Sequence, residues 1–148
     1  MSQSLARVVV HVVFATKGRA PCLCATIRPG LYAGIAGTVS ELECVPIRVG
    51  GASDHVHLLF ALARTCTLAG LVEAVKVRSS RWLKSQGGFR FAWQAGYGAF
   101  SVGEQQVPTV ARYIERQEEH HRRLSFEDEL RRILVHHGVA FDERYLWD

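Results

Sequence analysis

No apolar stretch in the sequence approaches the roughly 20 residues a bilayer-spanning helix requires, so no membrane-spanning helix is expected. The four cysteines, Cys22, Cys24, Cys44 and Cys66, are few for a disulfide scaffold, and no paired CxxC repeat marks a structural zinc site. They read as reduced, mostly buried thiols of a cytoplasmic protein. The opening MSQSLARVVVHVVFATKGR contains a short apolar run, but Lys17 and Arg19 follow it where a signal peptide needs a small-residue cleavage site. Repeats, low-complexity tracts and linkers are also missing, so the 148 residues, 48% of them hydrophobic, are expected to form one domain over 1–148. Lys and Arg total 18 against 14 for Asp and Glu, a net charge of +4 that mildly favours a polyanionic partner.

Val8 to Ala15 is dense in β-branched residues and reads as a buried strand ending at the turn-like TKGRAP. Arg28 to Val39 reads as a helix despite its glycines. Val45 to Val49 and His55 to Leu62 form a predicted hairpin around GGASD. From Thr67 to Lys84, Leu68, Leu71, Val72, Val75, Trp82 and Leu83 recur at helical spacing, with Lys76, Arg78, Arg81 and Lys84 across the opposite half. QGGFRFAWQAGYGAFSV reads as a short strand or pair of strands. Val107 to His121 is a predicted helix entered near Pro108. Ser125 and Asp128 resemble a capping box for a last helix that stops at Gly138. The order predicts an α+β fold: a ferredoxin-like βαββαβ antiparallel sheet with helices on its face plus C-terminal helices.

His55 and His57 flank Val56 on a predicted strand. The period of two puts both imidazoles on one face and turns Asp54 and Val56 to the other. Such a pair can chelate a metal ion, although the motif alone also arises by chance on half-buried strands. Tyr113 and Gln117, four residues apart on a helix, project within roughly 40° of each other. Val107, Val110, Ala111 and Ile114 make the core stripe of that helix, which leaves Tyr113 and Gln117 on its flank. A flanking tyrosine can serve as a nucleophile.

The blocks GGASDHVHLLF, VKVRSSRWL, FAWQAGYGAFSV and YIERQEEHH stand in an order and spacing that resembles the single-tyrosine HUH transposases of the insertion-sequence 200/605 type. HUH denotes histidine, hydrophobic residue, histidine. The resemblance runs from HVVFATKGR to FDERYLWD, nearly the whole chain. It implies metal-dependent cleavage and rejoining of single-stranded DNA with hairpin ends, through a 5′-phosphotyrosine intermediate and a free 3′-hydroxyl. By that resemblance His55, His57 and Gln117 would hold a divalent metal, and Tyr113 would attack the scissile phosphodiester. Imidazole ligands favour manganese or zinc on softness grounds, whereas the family favours Mg2+ or Mn2+. A phosphotyrosine conserves the energy of the broken bond, so no nucleotide cofactor is expected. Only about one phenol in a thousand is ionised at pH 7 without help, and the sequence does not identify a base. Two element ends and one matching tyrosine per chain imply a homodimer, with the tyrosine helix placed either in its own subunit or against its partner.

The resemblance makes Lys17, Arg19, Lys76, Arg78, Arg81 and Lys84 candidates for DNA contact. By composition alone they are turn residues or a solvated basic face. His120 lies near the flank of Tyr113 and Gln117, and it and His121 read as neighbours of the site, DNA contacts or an exposed helix end. His11 reads as a satisfied sheet histidine, and His136 and His137 suit a helix C-terminus. Tyr32 and Tyr145 lack a glutamine partner and read as packing residues. Trp82 reads as core, while Trp93 and Tyr97 either stack on bases or pack. Arg78 stands where the family pattern has a small residue, and SDHVH replaces a proline-containing approach, yet neither removes a proposed catalytic group. Two alternatives stay open. One is a noncatalytic single-stranded nucleic-acid-binding module on the same kind of sheet, which leaves the coincidence of HVH, tyrosine and glutamine unexplained. The other is a host-domesticated HUH nuclease acting on repeated palindromes.

Overall fold

Val9–Ala15 (β1) is a run of β-branched and apolar residues interrupted only by His11, is buried at every position, and forms a central strand of the sheet. The computed structural model describes residues 2–87, 90–144 and 146. After β1 come Arg28–Glu41 (α1), Val45–Gly51 (β2), His55–Ala61 (β3), Leu68–Ser85 (α2) and Gly98–Val102 (β4). Three further helices follow: Val107–Glu115 (α3), Gln117–His120 (α4) and Phe126–His136 (α5). The strands pair antiparallel in the order β2-β3-β1-β4, which is the ferredoxin-like topology expected from the βαββαβ pattern.

Alternation divides the strands cleanly. Val10, Val12 and Phe14 of β1 and Val56, Leu58 and Phe60 of β3 join one core with Leu31, Ile35 and Val39 of α1 and Leu71, Val72 and Val75 of α2. Gly30 lets the two helices close on each other, because a Cβ there would stand 2.8 Å from the Trp82 ring. The residues in between face the other side. There Val9 and Leu59 meet Ile114 of α3, and Val13, Ala15 and Phe100 meet Phe126, Leu130 and Leu134 of α5. Register places His55 opposite Ala15 and His57 opposite Val13, which points both histidines, with His11, toward α3, α4 and α5.

Two local features govern the site. Gly50 of β2 has no side chain to hold α3 away: a Cβ would lie 2.6 Å from the carbonyl oxygen of Ile114. The helix expected over 107–121 is broken at Arg116 (φ −100°, ψ 20°), which separates α3 from α4. Its cause is tertiary. The break turns the Gln117 side chain inward, where it is fully buried, its amide nitrogen donating to Glu129 and its oxygen lying 2.8 Å from His55 Nε2. α5 begins as the capping box predicts, with the Ser125 hydroxyl accepting from the Asp128 amide at 3.2 Å, and is followed by Gly138 at φ +66°. Of the aromatic stretch 86–102, Gly88 and Phe89 lie outside the described residues. The rest supplies one strand, β4, and a single bridge between Thr16 and Trp93.

Candidate active site

Strand β3 brings His55 and His57 to the α3–α5 face with no measurable exposure. The structure then sets Gln117 and Tyr113 over them, from the two sides of the Arg116 break. His55 Nε2 lies 2.8 Å from Gln117 Oε1. The Tyr113 ring stands edge-on to the His57 ring, with centroids 5.8 Å apart. All four side chains named from sequence therefore meet within one chain.

At their centre is a residue that sequence reasoning did not single out. Glu129 of α5 is 1% exposed and touches four of the surrounding side chains. Its Oε1 lies 3.1 Å from His57 Nε2 and 3.2 Å from His121 Nε2. Its Oε2 accepts from Gln117 Nε2 at 3.0 Å and from the Tyr113 hydroxyl. One signal was available in the sequence: Glu129 falls within the apolar stripe of Phe126, Leu130 and Leu134, where a carboxylate has no place unless it is paired. His121, left open between site and helix end, belongs to the site. His120 sets its ring beside that of Tyr113, tilted by 35° with centroids 4.8 Å apart.

Two further groups orient the histidines. Asp54 was expected on the opposite face from the imidazoles. It precedes β3 in the turn, so strand alternation does not bind it, and its Oδ1 lies 2.8 Å from His55 Nδ1. His11, expected to be a satisfied sheet histidine, is satisfied by His57 itself, Nε2 to Nδ1 at 2.8 Å. Carboxylate or imidazole partners behind a histidine fix its tautomer and aim its other nitrogen.

The donor set fits a cation. With Nδ1–H of His55 given to Asp54, Nε2 presents a lone pair, and it faces Gln117 Oε1, which is also an acceptor because the amide nitrogen is committed to Glu129. A positive charge beside both atoms turns that confrontation into coordination. His55, His121 and Glu129 each offer a ligand atom, all within 4.8 Å of one another.

Electrostatics follow from burial around one carboxylate. Burial, then the Glu129 charge and hydrogen bond, push the Tyr113 phenol well above its ordinary value. Burial alone would raise Glu129, but hydrogen bonds from His121 and His57 outweigh it and hold the carboxyl far below the usual range. His57 is lowered by burial despite Glu129. His121, less buried, is raised because Glu129 overcomes the desolvation. His11 is pushed down to about 3 by burial and by His57. A cavity of about 730 Å³ opens beside this cluster, lined in part by Tyr113, His120, Glu129 and Arg132.

The remaining candidates are scattered. Lys17 is exposed on the turn after β1, and Arg19 beside it pairs with Glu127 at 2.8 Å. Lys76, Arg78, Arg81 and Lys84 all ride on α2, across the sheet from the histidines. The Lys76 ammonium donates to the carbonyls of Gln94, Ala95 and Gly96 at 2.8, 3.3 and 2.8 Å, and burial lowers it to about 8. Arg78 pairs with Glu41, and Arg81 and Lys84 are exposed. Trp93 packs edge-on to Phe14 and donates to Ser79 Oγ at 3.0 Å, while Tyr97 is 41% exposed. His137 stacks on Phe100. Tyr32 packs against the α1 and α2 core, and Tyr145 lies outside the described residues.

Comparison with known proteins points in one direction. The family model for IS200-like transposases matches residues 4–117, a span that includes His55, His57, Tyr113 and Gln117 and ends before His121 and Glu129. Among solved structures, the chain is similar to a provisionally assigned transposase from Deinococcus radiodurans R1, with 23% identity, a TM-score of 0.62, and coverage of 79% of this chain and 98% of that one. It is also similar to a REP-associated tyrosine transposase bound to a REP hairpin, with 13% identity, a TM-score of 0.61, and coverage of 82% and 74%. At these identities the likeness concerns the fold. No curated protein matches the sequence. Among the described residues, no helix is long and apolar enough to cross a membrane.

Proposed function

The chain belongs to the IS200-like, single-tyrosine HUH transposase family, and from that premise we propose that it cuts and rejoins single-stranded DNA at hairpin ends with Tyr113 as the nucleophile. One observation carries the reading: the Tyr113 hydroxyl and the HUH histidine His57 reach the same buried carboxylate that Gln117 also holds. His55, His57 and Gln117 would hold a divalent cation, Mg2+ or Mn2+. When bound, the cation stabilises negative charge developing on the phosphate oxygens.

Tyr113 Oη attacks phosphorus as its proton leaves along the hydrogen bond to Glu129, the phosphorus–O3′ bond breaks, and the departing 3′-oxygen takes up a proton to become a free hydroxyl. The product is a 5′-phosphotyrosine, which a 3′-hydroxyl can later attack in reverse. Burial and the Glu129 charge keep the phenol protonated, so the resting nucleophile is held in place by its hydrogen bond to Glu129 rather than left ionised. Asp54 and His11 hold the two imidazoles at fixed angles. Arg19 lies near the site, its ion pair with Glu127 joining the first turn to α5, and remains a candidate DNA contact with Lys17. Each chain carries one such tyrosine, so cutting both ends of an element calls for a homodimer.

A second reading, a host-domesticated nuclease acting on repeated palindromes, draws on the neighbour whose structure holds a REP hairpin. The test incubates the protein with single-stranded DNA carrying either its element's ends or a repeated chromosomal palindrome, with and without Mn2+. A metal-dependent covalent adduct at Tyr113 is expected, and the DNA that yields it separates the two readings. An adduct that survives Tyr113→Phe overturns the nucleophile assignment. Oligonucleotide binding that never becomes covalent indicates a binding module.

A further inference from the structure

Glu129 and His121 lie beyond the span that the family model matches, on segments that the HUH motif does not include. A carboxylate buried to 1% exposure in the apolar stripe of a helix costs several kcal/mol unless its charge is met. Here hydrogen bonds from four side chains surround it, and three of those side chains belong to the proposed cation site or the nucleophile.

The spacing is informative. Glu129 Oε1 stands 3.1 Å from His57 Nε2, 3.2 Å from His121 Nε2 and 3.6 Å from His55 Nε2, and His55 Nε2 stands 2.8 Å from Gln117 Oε1. Adjacent ligands on an octahedral ion with bonds of roughly 2.1 Å are about 3.0 Å apart. Oε1 thus stands from His57 Nε2 at the spacing two ligands of one ion would take, while Oε2 keeps Tyr113 and Gln117. We propose that Glu129 of α5 is a direct, anionic ligand of the same cation as His55, His57 and Gln117, so that the C-terminal helix completes the metal site. This rests on the cation reading above.

The chemistry follows from hardness and charge. Two imidazoles and an amide are neutral donors, and the imidazoles favour zinc. One carboxylate adds a negative charge and a hard oxygen, which raises affinity for Mn2+ and Mg2+ more than for Zn2+. It also ties α5 to the ion, so metal binding should steady that helix.

The experiment titrates metal-free full-length protein with Mn2+ and, separately, Zn2+ by calorimetry, for wild type, Glu129→Gln and Glu129→Asp. Hydrogen exchange of α5 is followed with and without Mn2+. Glu129→Gln should weaken Mn2+ at least about tenfold and Zn2+ less. It should also abolish the Mn2+-induced slowing of exchange in α5. Glu129→Asp keeps the charge with a shorter reach and should recover part of the Mn2+ affinity, which keeps the test decisive if the glutamine variant folds poorly. Unchanged Mn2+ affinity in both variants, or equal losses for the two metals, overturns the ligand assignment alone. Absence of Mn2+ binding by the wild type overturns the cation reading and this inference together.

Discussion

The two faces of the sheet are built from alternate residues of the same strands, yet they are made of different matter. Toward α1 and α2, β1 and β3 present Val10, Val12, Phe14, Val56, Leu58 and Phe60, an interior with few groups that can ionise. Toward α3, α4 and α5 they present His11, His55 and His57, joined there by Gln117 and Glu129, all buried. The first face can only hold the fold together. The second gives up apolar area for a polar network whose members must all be satisfied at once. The even positions of β1 and β3 serve stability alone, while the odd ones carry the chemistry alongside the packing of Val9, Val13, Ala15 and Leu59, so substitutions at the two sets should fail in different ways.

The sharpest contrast comes from Tyr113→Phe. It should eliminate the covalent DNA adduct in a gel assay while leaving oligonucleotide binding largely intact, at a cost of about 1–3 kcal/mol from the hydrogen bond lost to buried Glu129. Phe60→Ala, fully buried on the apolar face, should do the reverse. It is expected to cost about 3–5 kcal/mol in denaturant unfolding, while the protein that remains folded still forms the adduct. If Phe60→Ala abolished attachment in folded protein, the division between the faces would not hold.

Gly50→Ala tests how the second face is assembled. The added methyl collides with the Ile114 carbonyl oxygen and must push α3 outward. A loss of about 1–3 kcal/mol is expected, together with slower adduct formation, because Tyr113 moves with α3. An effect specific to the polar face appears with pH. His11 ionises near 6.5 when unfolded but is pushed down to about 3 in the fold by burial and by His57. Between those values the unfolded chain binds the extra proton, so stability falls as pH drops from 6.5 toward 3. Across that window His11→Gln should flatten the fall by up to about 1.4 kcal/mol per pH unit in chemical denaturation. Smallest of all, Arg78→Ala removes an exposed pair with Glu41 and should change stability by less than about 1 kcal/mol. A larger loss would mean that the outer surface of α2 matters more to the fold than an exposed ion pair can.

The strand and helix order was legible because β-branched runs and helical stripes are local signals, and the HVH pair was legible because alternation fixes which side chains share a face. Tyr113 and Gln117 were also found, but on a helix read as continuous. The break at Arg116 is not written in propensities: it answers to the partners waiting for Gln117 in β3 and α5. Asp54 was misplaced because strand alternation was extended one residue into a turn. Glu129 was overlooked because an acid in a helix's first turn is ordinary dipole complementarity, and only the packing of α5 on the sheet shows which way it faces. Its presence in an apolar stripe was the one clue available beforehand.

The pairing of His55 with Ala15 and His57 with Val13 also sets where the chain can accept added or lost residues. β3 is hydrogen-bonded along both edges, so a one-residue slip of its register would turn both imidazoles into the hydrocarbon side and bring Val56 and Leu58 to the face they leave. An insertion scan should therefore find a sharply intolerant block at β1 and β3, even where the new residue is glycine or alanine. Arg64 and Thr65, exposed between the last β3 ladder bond at Leu62 and the Thr67 cap of α2, should accept a short tag without disturbing the histidines' aim.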